Sequence, residues 1–276
     1  MRTTTAGNLS VELRDDGVAV VWMNGRMSNA LDEGFFYGGG PRIWHELSED
    51  PAVGCVALLS RGRNFCAGID IGILARHLDG KKPGDTWPAD GILVMQDAVT
   101  AVERCRKPVV VGVQGACVGG GVDLACACDV RVCDSTARFS VKEVDLGITA
   151  DLGTLQRLPR IVGDGNAREL ALTCRTIDAA EALRIGLVSE VVRADGVQPQ
   201  RLHARCLDLA RQIAAKPRSA TEGTKRALLH ARDHSVADSL RQVAEYNQEH
   251  LLSQDLFKAV RAAASAGRVR QPAARL

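Results

Sequence analysis

The sequence predicts a mixed α/β protein, with a β/α core over residues 1–195 and a helical region over 196–276. Three observations carry that expectation. Apolar runs at 53–60 and 108–113 have the length and β-branched content of buried strands, and each leads through a glycine-bearing turn into a helix-like stretch. Beyond the polar segment RADGVQPQ (193–200), Ala220, Thr224, Ala227, Leu228, Leu240, Val243, Ala244, Leu251 and Leu252 are spaced for one buried helical face. The chain has 276 residues, 46% of them apolar, and a net charge of +2, which suits a large hydrophobic core and excludes a disordered polymer.

Each element follows in order. LSVEL and VAVVWMN alternate like strands and are joined through Arg14-Asp15-Asp16-Gly17, a hairpin signal. Between Ala30 and Asp50, Gly34, Gly38, Gly39, Gly40 and Pro41 interrupt a helix that ends in IWHELSE. The strand at 53–60 turns through RGRNFCAGID into a helix near Ile69. Residues 79–91 have loop chemistry, and an apolar-periodic helix runs on to about Arg106. The strand at 108–113 breaks at Gly115, and Gly119-Gly120-Gly121 then lead into the helix VDLACACD. Short strands VRVC and ARFSV come next, followed by a loop holding Glu143 and Asp151 and a helix through TLQRL. Asp178 and Glu181 form a capping box whose helix closes at Gly186.

Composition and motifs exclude several functions. Near-neutral charge leaves no nucleic-acid footprint, although Arg268, Arg270 and Arg275 make the last residues locally basic. The nine cysteines are an odd number without a C-x-x-C pair, which argues against a disulfide framework or zinc ribbon. Cys126, Cys128 and Cys133 lie in an apolar run and read as small core residues, so no metal is expected. No apolar run reaches the roughly eighteen residues of a membrane span, and MRTTTAGNLS holds no leader-like apolar stretch, so the chain reads as cytoplasmic. A dinucleotide fingerprint fails because position 124 is Leu, and neither a P-loop nor a G-x-S-x-G elbow occurs.

Two glycine-bearing turns remain. Glycines let a backbone approach a ligand closely, and amides at the start of a helix are donors without partners. Cys66-Ala67-Gly68-Ile69 and Gly119-Gly120-Gly121 therefore offer two N–H groups suited to a developing oxyanion, although tight helix packing explains either turn as well.

At these residues the chain resembles the crotonase (enoyl-CoA hydratase/isomerase) superfamily over nearly its whole length. FCAGIDI, QGACVGGGVDLA and ARFSVKEVDLGI are similar to its two oxyanion motifs and its catalytic glutamate segment. GGGVDL, VKEVDLGITADLGTLQRLP and TKRALLHARDHSVADSL are most similar to the Δ3,5-Δ2,4-dienoyl-CoA isomerase branch. The resemblance implies a spiral of repeated ββα units with a C-terminal helical trimerisation region, and a homotrimer or homohexamer. It implies an oxyanion hole at the Ile69 and Gly120 amides and active-site acids at Asp123, Glu143 and Asp151. Acyl-CoA contacts would come from Arg26, Ala67, Gly68, Asp70, Ile71 and Gly119, with no cofactor beyond the CoA of the substrate. Arg26 stands in for the basic residue that the family usually places just before its N-A-L segment, and Phe35–Pro41 is richer in glycine than the family pattern.

The implied reaction belongs to fatty-acid β-oxidation and shifts two conjugated double bonds. It removes a proton at C2 and adds one at C6, which calls for one ionised and one protonated carboxyl. Asp151 is expected toward C2 and Glu143 toward C6. Each acid also has a plain structural use. Asp123 suits the first turn of a helix, Asp151 could cap the helix at Leu152 by accepting the Thr154 N–H, and Glu143 could form a surface ion pair. The alternatives are an enoyl-CoA hydratase, holding a water between Asp123 and Glu143, and a non-catalytic acyl-CoA-binding oligomer.

Overall fold

The computed structural model describes residues 2–6, 8–194, 196 and 199–269. They divide into two compact units, Met1–Ala215 and Lys216–Leu276. In the first unit, β1 (Arg2–Ala6), β2 (Leu9–Leu13) and β3 (Val18–Met23) form an antiparallel meander. Helices α1 (Arg26–Asn29), α2 (Glu33–Phe36) and α3 (Gly40–Glu49) lead to β4 (Cys55–Ser60). Then come α4 (Ile71–Leu78), α5 (Ala89–Arg104), β5 (Val109–Val113), β6 (Ala116–Val118) and α6 (Gly120–Cys126). After β7 (Val130–Asp134) and β8 (Arg138–Ser140), helices α7 (Thr154–Val162) and α8 (Asp164–Thr173) precede β9 (Ile177–Asp178), α9 (Ala179–Arg184) and β10 (Glu190–Val192). Helix α10 (Gln200–Ala214) closes the unit.

One sheet runs in the order β1-β2-β3-β4-β5-β7-β10, and it is parallel from β3 onward. Strands β6, β8 and β9 form a second, three-stranded sheet. All residues of β4 and β5 are buried, because helices cover both faces and leave no solvent side to select polar residues. Val56, Leu58, Val109 and Val111 face the cluster that includes Trp44, Leu47, Val99 and Val102. Ala57, Leu59 and Val110 face Leu202, Cys206 and Ala210 of α10.

That second contact moves the domain boundary. Helix α10 packs on the sheet, so the first unit extends twenty residues past the break expected at 195. Strand β1, helix α8 and strand β10 were not anticipated from the sequence, whereas the β2–β3 hairpin and the capping box are present. The Asp178 carboxylate accepts the Glu181 N–H at 2.9 Å.

The second unit consists of α11 (Arg218–His230), α12 (Val236–His250) and α13 (Gln254–Val269). The expected buried face is not buried among the described residues: Leu228, Leu240 and Leu252 are 67%, 65% and 79% exposed. Three helices of this length have too little surface among them to cover every apolar residue they carry. Of the basic residues noted near the end of the chain, Arg270 and Arg275 lie outside the described residues.

Gly112 shows how closely α10 meets the sheet. A Cβ there would lie 2.9 Å from both Cys206 Sγ and Leu59 Cδ2. Gly112→Val should lower the midpoint of thermal unfolding, with a cost of about 1–3 kcal/mol. Gly165→Ala, where a Cβ meets nothing within 4 Å in α8, should leave the midpoint unchanged or raise it. Equal behaviour of the two variants in calorimetry would refute this packing.

Candidate active site

The site grows from the two glycine-bearing turns. Cys66 runs beside β6, donating to the Ala116 carbonyl at 2.9 Å and accepting from Val118 at 3.0 Å. The next residues bond to Ser28 and Leu31: Ala67 N–H to Ser28 O, Leu31 N–H to Gly68 O, and Asp70 N–H to Leu31 O. This pattern occupies the amides of Cys66, Ala67 and Asp70 and leaves that of Ile69 without an acceptor among the described residues. On the second turn, the Gly119 N–H donates to Ser140 O at 2.9 Å, so Gly120 supplies the first uncommitted amide of α6. A Cβ on Gly120 would lie 3.7 Å from the Ile69 nitrogen and 3.1 Å from a Leu31 methyl. The two free amides are therefore neighbours, and a side chain at 120 would crowd Leu31 and Ile69.

The other residues expected to contact the substrate differ in situation. Ala67 is exposed and Gly68 buried. Asp70 caps α4, its carboxylate accepting the Gly72 N–H at 2.8 Å, while Ile71 is 67% exposed. Arg26 opens α1, and its side chain lies outside the described ones.

Three acids gather around the second turn. Asp123, on α6, is 1% exposed, and its Oδ1 accepts the Thr154 N–H at 2.5 Å. Burial pushes its pKa up to about 6, opposed by the Thr154 bonding and the Arg157 charge and reinforced by the Asp151 charge. Glu143 is 8% exposed and lies against Gly119, where a Cβ would fall 3.1 Å from Oε1. Its Oε2 is buried without a hydrogen-bond partner. Burial, helped by the charges of Asp123 and Asp151, raises Glu143 to about 7. Asp151 is half-buried, and burial raises its pKa as well.

The structural use considered for Asp151 belongs to Asp123. Helix α7 starts at Thr154 with Gly153 in the capping position and no side-chain cap, and the Thr154 N–H goes to Asp123. Glu143 is buried and forms no surface ion pair. Asp151 is held instead by its backbone, its carbonyl accepting from Gln96 Nε2 of α5 at 2.7 Å. Asp151 lines a cavity of about 300 Å³ together with Ile69, Ile73, Trp87, Met95 and Ile148.

Sequence reading missed Gln96 and the buried Arg157. Arg157 donates to Leu152 O at 3.4 Å and pairs with Glu103 at 3.0 Å, bracing the turn that carries Asp151. Both lie in segments that read only as apolar-periodic helix, and pattern alone does not reveal which polar residue of a helix points inward. Burial pushes the Cys66 thiol up to about 12, so no thiolate nucleophile lies beside the turns. Among the described residues, no group of three His, Cys, Asp or Glu side chains is placed to hold a metal.

This arrangement can stabilise negative charge on a carbonyl oxygen, hold one carboxyl protonated and another ionised, and seat an apolar chain beside them. The chain is 44% identical over 240 residues to a peroxisomal Δ3,5-Δ2,4-dienoyl-CoA isomerase of Arabidopsis thaliana, covering 85% of this chain and 84% of that one. It is 44% identical over 225 residues to the mitochondrial human enzyme of the same name, covering 79% and 67%. A crystal structure of an enoyl-CoA hydratase from Bacillus anthracis superposes with a TM-score of 0.83 at 26% identity, covering 94% of this chain and 96% of that one. Residues 14–265 match the enoyl-CoA hydratase/isomerase family model, and the chain belongs to that family.

Proposed function

We propose that the protein isomerises 3,5-dienoyl-CoA thioesters to their 2,4-dienoyl isomers in fatty-acid oxidation. The observation that carries this reading is Asp151, a titratable residue in the lining of an apolar cavity and free of the capping duty that would otherwise explain it. The Ile69 and Gly120 amides would hold the thioester oxygen as Asp151 takes a proton from C2, and Glu143 would deliver one to C6. Asp151, the more exposed of the two, suits the ionised role, and Glu143, raised to about 7, suits the protonated one. The CoA of the substrate is the only cofactor moiety this chemistry requires.

Hydration fits less well. It would need Asp123 and Glu143 to share a water, and Asp123 is 1% exposed with its Oδ1 already accepting the Thr154 N–H. A homotrimer or homohexamer belongs to the same proposal, supported by the exposed apolar residues of α11 and α12. So does a cytoplasmic location, although the relatives compared are peroxisomal and mitochondrial. Among the described residues, no helix is long and apolar enough to cross a membrane.

Asp151→Asn should lower turnover of a 3,5-dienoyl-CoA by at least about 10²-fold, the usual loss for a positioned acid or base. Thermal stability should change little, because the carboxylate caps no helix. Unchanged dienoyl turnover in a folded variant would refute the proposal.

The raised pKa values also set a pH dependence. The kcat/KM for the dienoyl substrate should peak near neutrality and fall on the alkaline side as Glu143, about 7, loses its proton. A profile that stays flat through about pH 8.5 would contradict the acid role. Stability should follow the same group. Folded Glu143 binds a proton more tightly than the unfolded residue at 4.5, so its contribution is full below that value and lost as pH rises through about 7. Glu143→Gln should therefore stabilise the fold at pH 8 by roughly 2 kcal/mol while leaving it unchanged near pH 4. Parallel denaturation curves for the two proteins at every pH would show that burial does not act on Glu143 in this way.

A further inference from the structure

We propose that Trp87 sets the length of acyl chain that the site accepts, by walling the end of the cavity farthest from the reacting thioester. The inference rests on the acyl-CoA reading above and adds the residue that limits the substrate. The cavity is bounded by Ile69, just before α4, and by residues of α4 and α5. At 1.5 Å per residue, His77 lies about 9 Å farther along α4 than Ile71. The Trp87 indole stacks on His77, with ring centroids 4.9 Å apart and planes 22° from parallel. Trp87 thus stands by the last turn of α4, while the free Ile69 amide stands before its first. A chain whose carbonyl is held at Ile69 and whose tail follows α4 meets the indole.

Three features hold the indole in place. The His77 ring is itself anchored, its Nδ1 lying 2.9 Å from the Ile73 carbonyl oxygen. Pro88 follows Trp87 and caps α5, and a residue before proline is confined to extended backbone. The indole also leans on the first turn of α5, where a Cβ at Gly91 would lie 3.8 Å from its Nε1. Along the cavity Ile73 and Met95 are buried, so the walls between the two ends are packed. A wall of this kind discriminates by about 10–200-fold per methylene that does not fit.

The test is calorimetric binding of saturated acyl-CoAs, from butanoyl to hexadecanoyl, to the full-length protein and to Trp87→Ala and Trp87→Phe. Wild-type affinity should rise with chain length and then fall by about 10-fold or more at the first chain that reaches the indole. Trp87→Ala should move that break to longer chains, and Trp87→Phe should move it less. His77→Ala, which alters a ring outside the cavity lining, should also shift the break if the stack holds the indole, and it keeps the test open should Trp87→Ala fail to fold. The same break in wild type and in the folded Trp87 variants, or no break in wild type, would overturn the proposal. Turnover of 3,5-dienoyl-CoA by wild type is measured separately. A break that moves with Trp87 in a protein lacking that turnover upholds the chain-length role and removes only the isomerase reading.

Discussion

The hydrogen bond from the Thr154 N–H to the Asp123 carboxylate joins the two halves of the site. Asp123 belongs to the helix that begins at Gly120, and Thr154 begins the helix that follows Asp151. One buried bond therefore ties the second free amide to the turn carrying the third acid. It also provides a cap that the local sequence lacks, since Gly153 has no side chain to offer. Arg157 and Gln96 complete the brace by bonding to the carbonyls of Leu152 and Asp151. The Asp151 side chain itself is used in none of these contacts, which leaves it available to a substrate.

Burial of the acids has a thermodynamic consequence. Carboxyls in a low-dielectric pocket resist ionisation, and each charge that forms makes the next harder to form. Asp123 and Glu143 are both raised by burial, and each senses the neighbouring acids. The set therefore carries protons at pH values where ordinary carboxyls have lost theirs. A reaction that needs a donor at one end of a diene and an acceptor at the other draws on that mixture directly. The same burial works against stability as pH rises, so the site and the fold respond to one titration.

Much of this was legible before the fold was known. Strands β4 and β5 could be read because parallel strands covered on both faces leave continuous apolar runs. The glycine turns could be read because close approach of another segment excludes a Cβ, as Gly121 shows against Cys66, whose Cβ and carbonyl oxygen would lie 2.9 and 3.0 Å away. Asp123, Glu143 and Asp151 were singled out by resemblance, but that Asp123 accepts the Thr154 N–H was not visible. The sequence suggests Asp151 as the cap of α7, and only the path of the chain brings Asp123 to that place. The domain break was misplaced because RADGVQPQ reads as a linker, while the apolar face of α10 gives no sign of which surface it covers. The α11–α12 residues expected to be buried have the right spacing, yet Leu228 and Leu240 are exposed among the described residues. Trp87 lay in a stretch legible only as loop, since aromatic stacking across 79–88 depends on where α4 ends.

The central claim is that two separate carboxyl groups serve the two ends of the diene while the paired amides hold the thioester oxygen. Its most direct test is isomerisation of a 3,5-dienoyl-CoA in deuterium oxide, with the label located in the product by NMR. Proton removal at C2 by one acid and delivery at C6 by another, solvent-exchanged acid places deuterium at C6 of the 2,4-dienoyl product. A product whose C6 carries the original C2 hydrogen would mean that a single group moves the proton. That result, or a hydrated product in its place, would contradict the account.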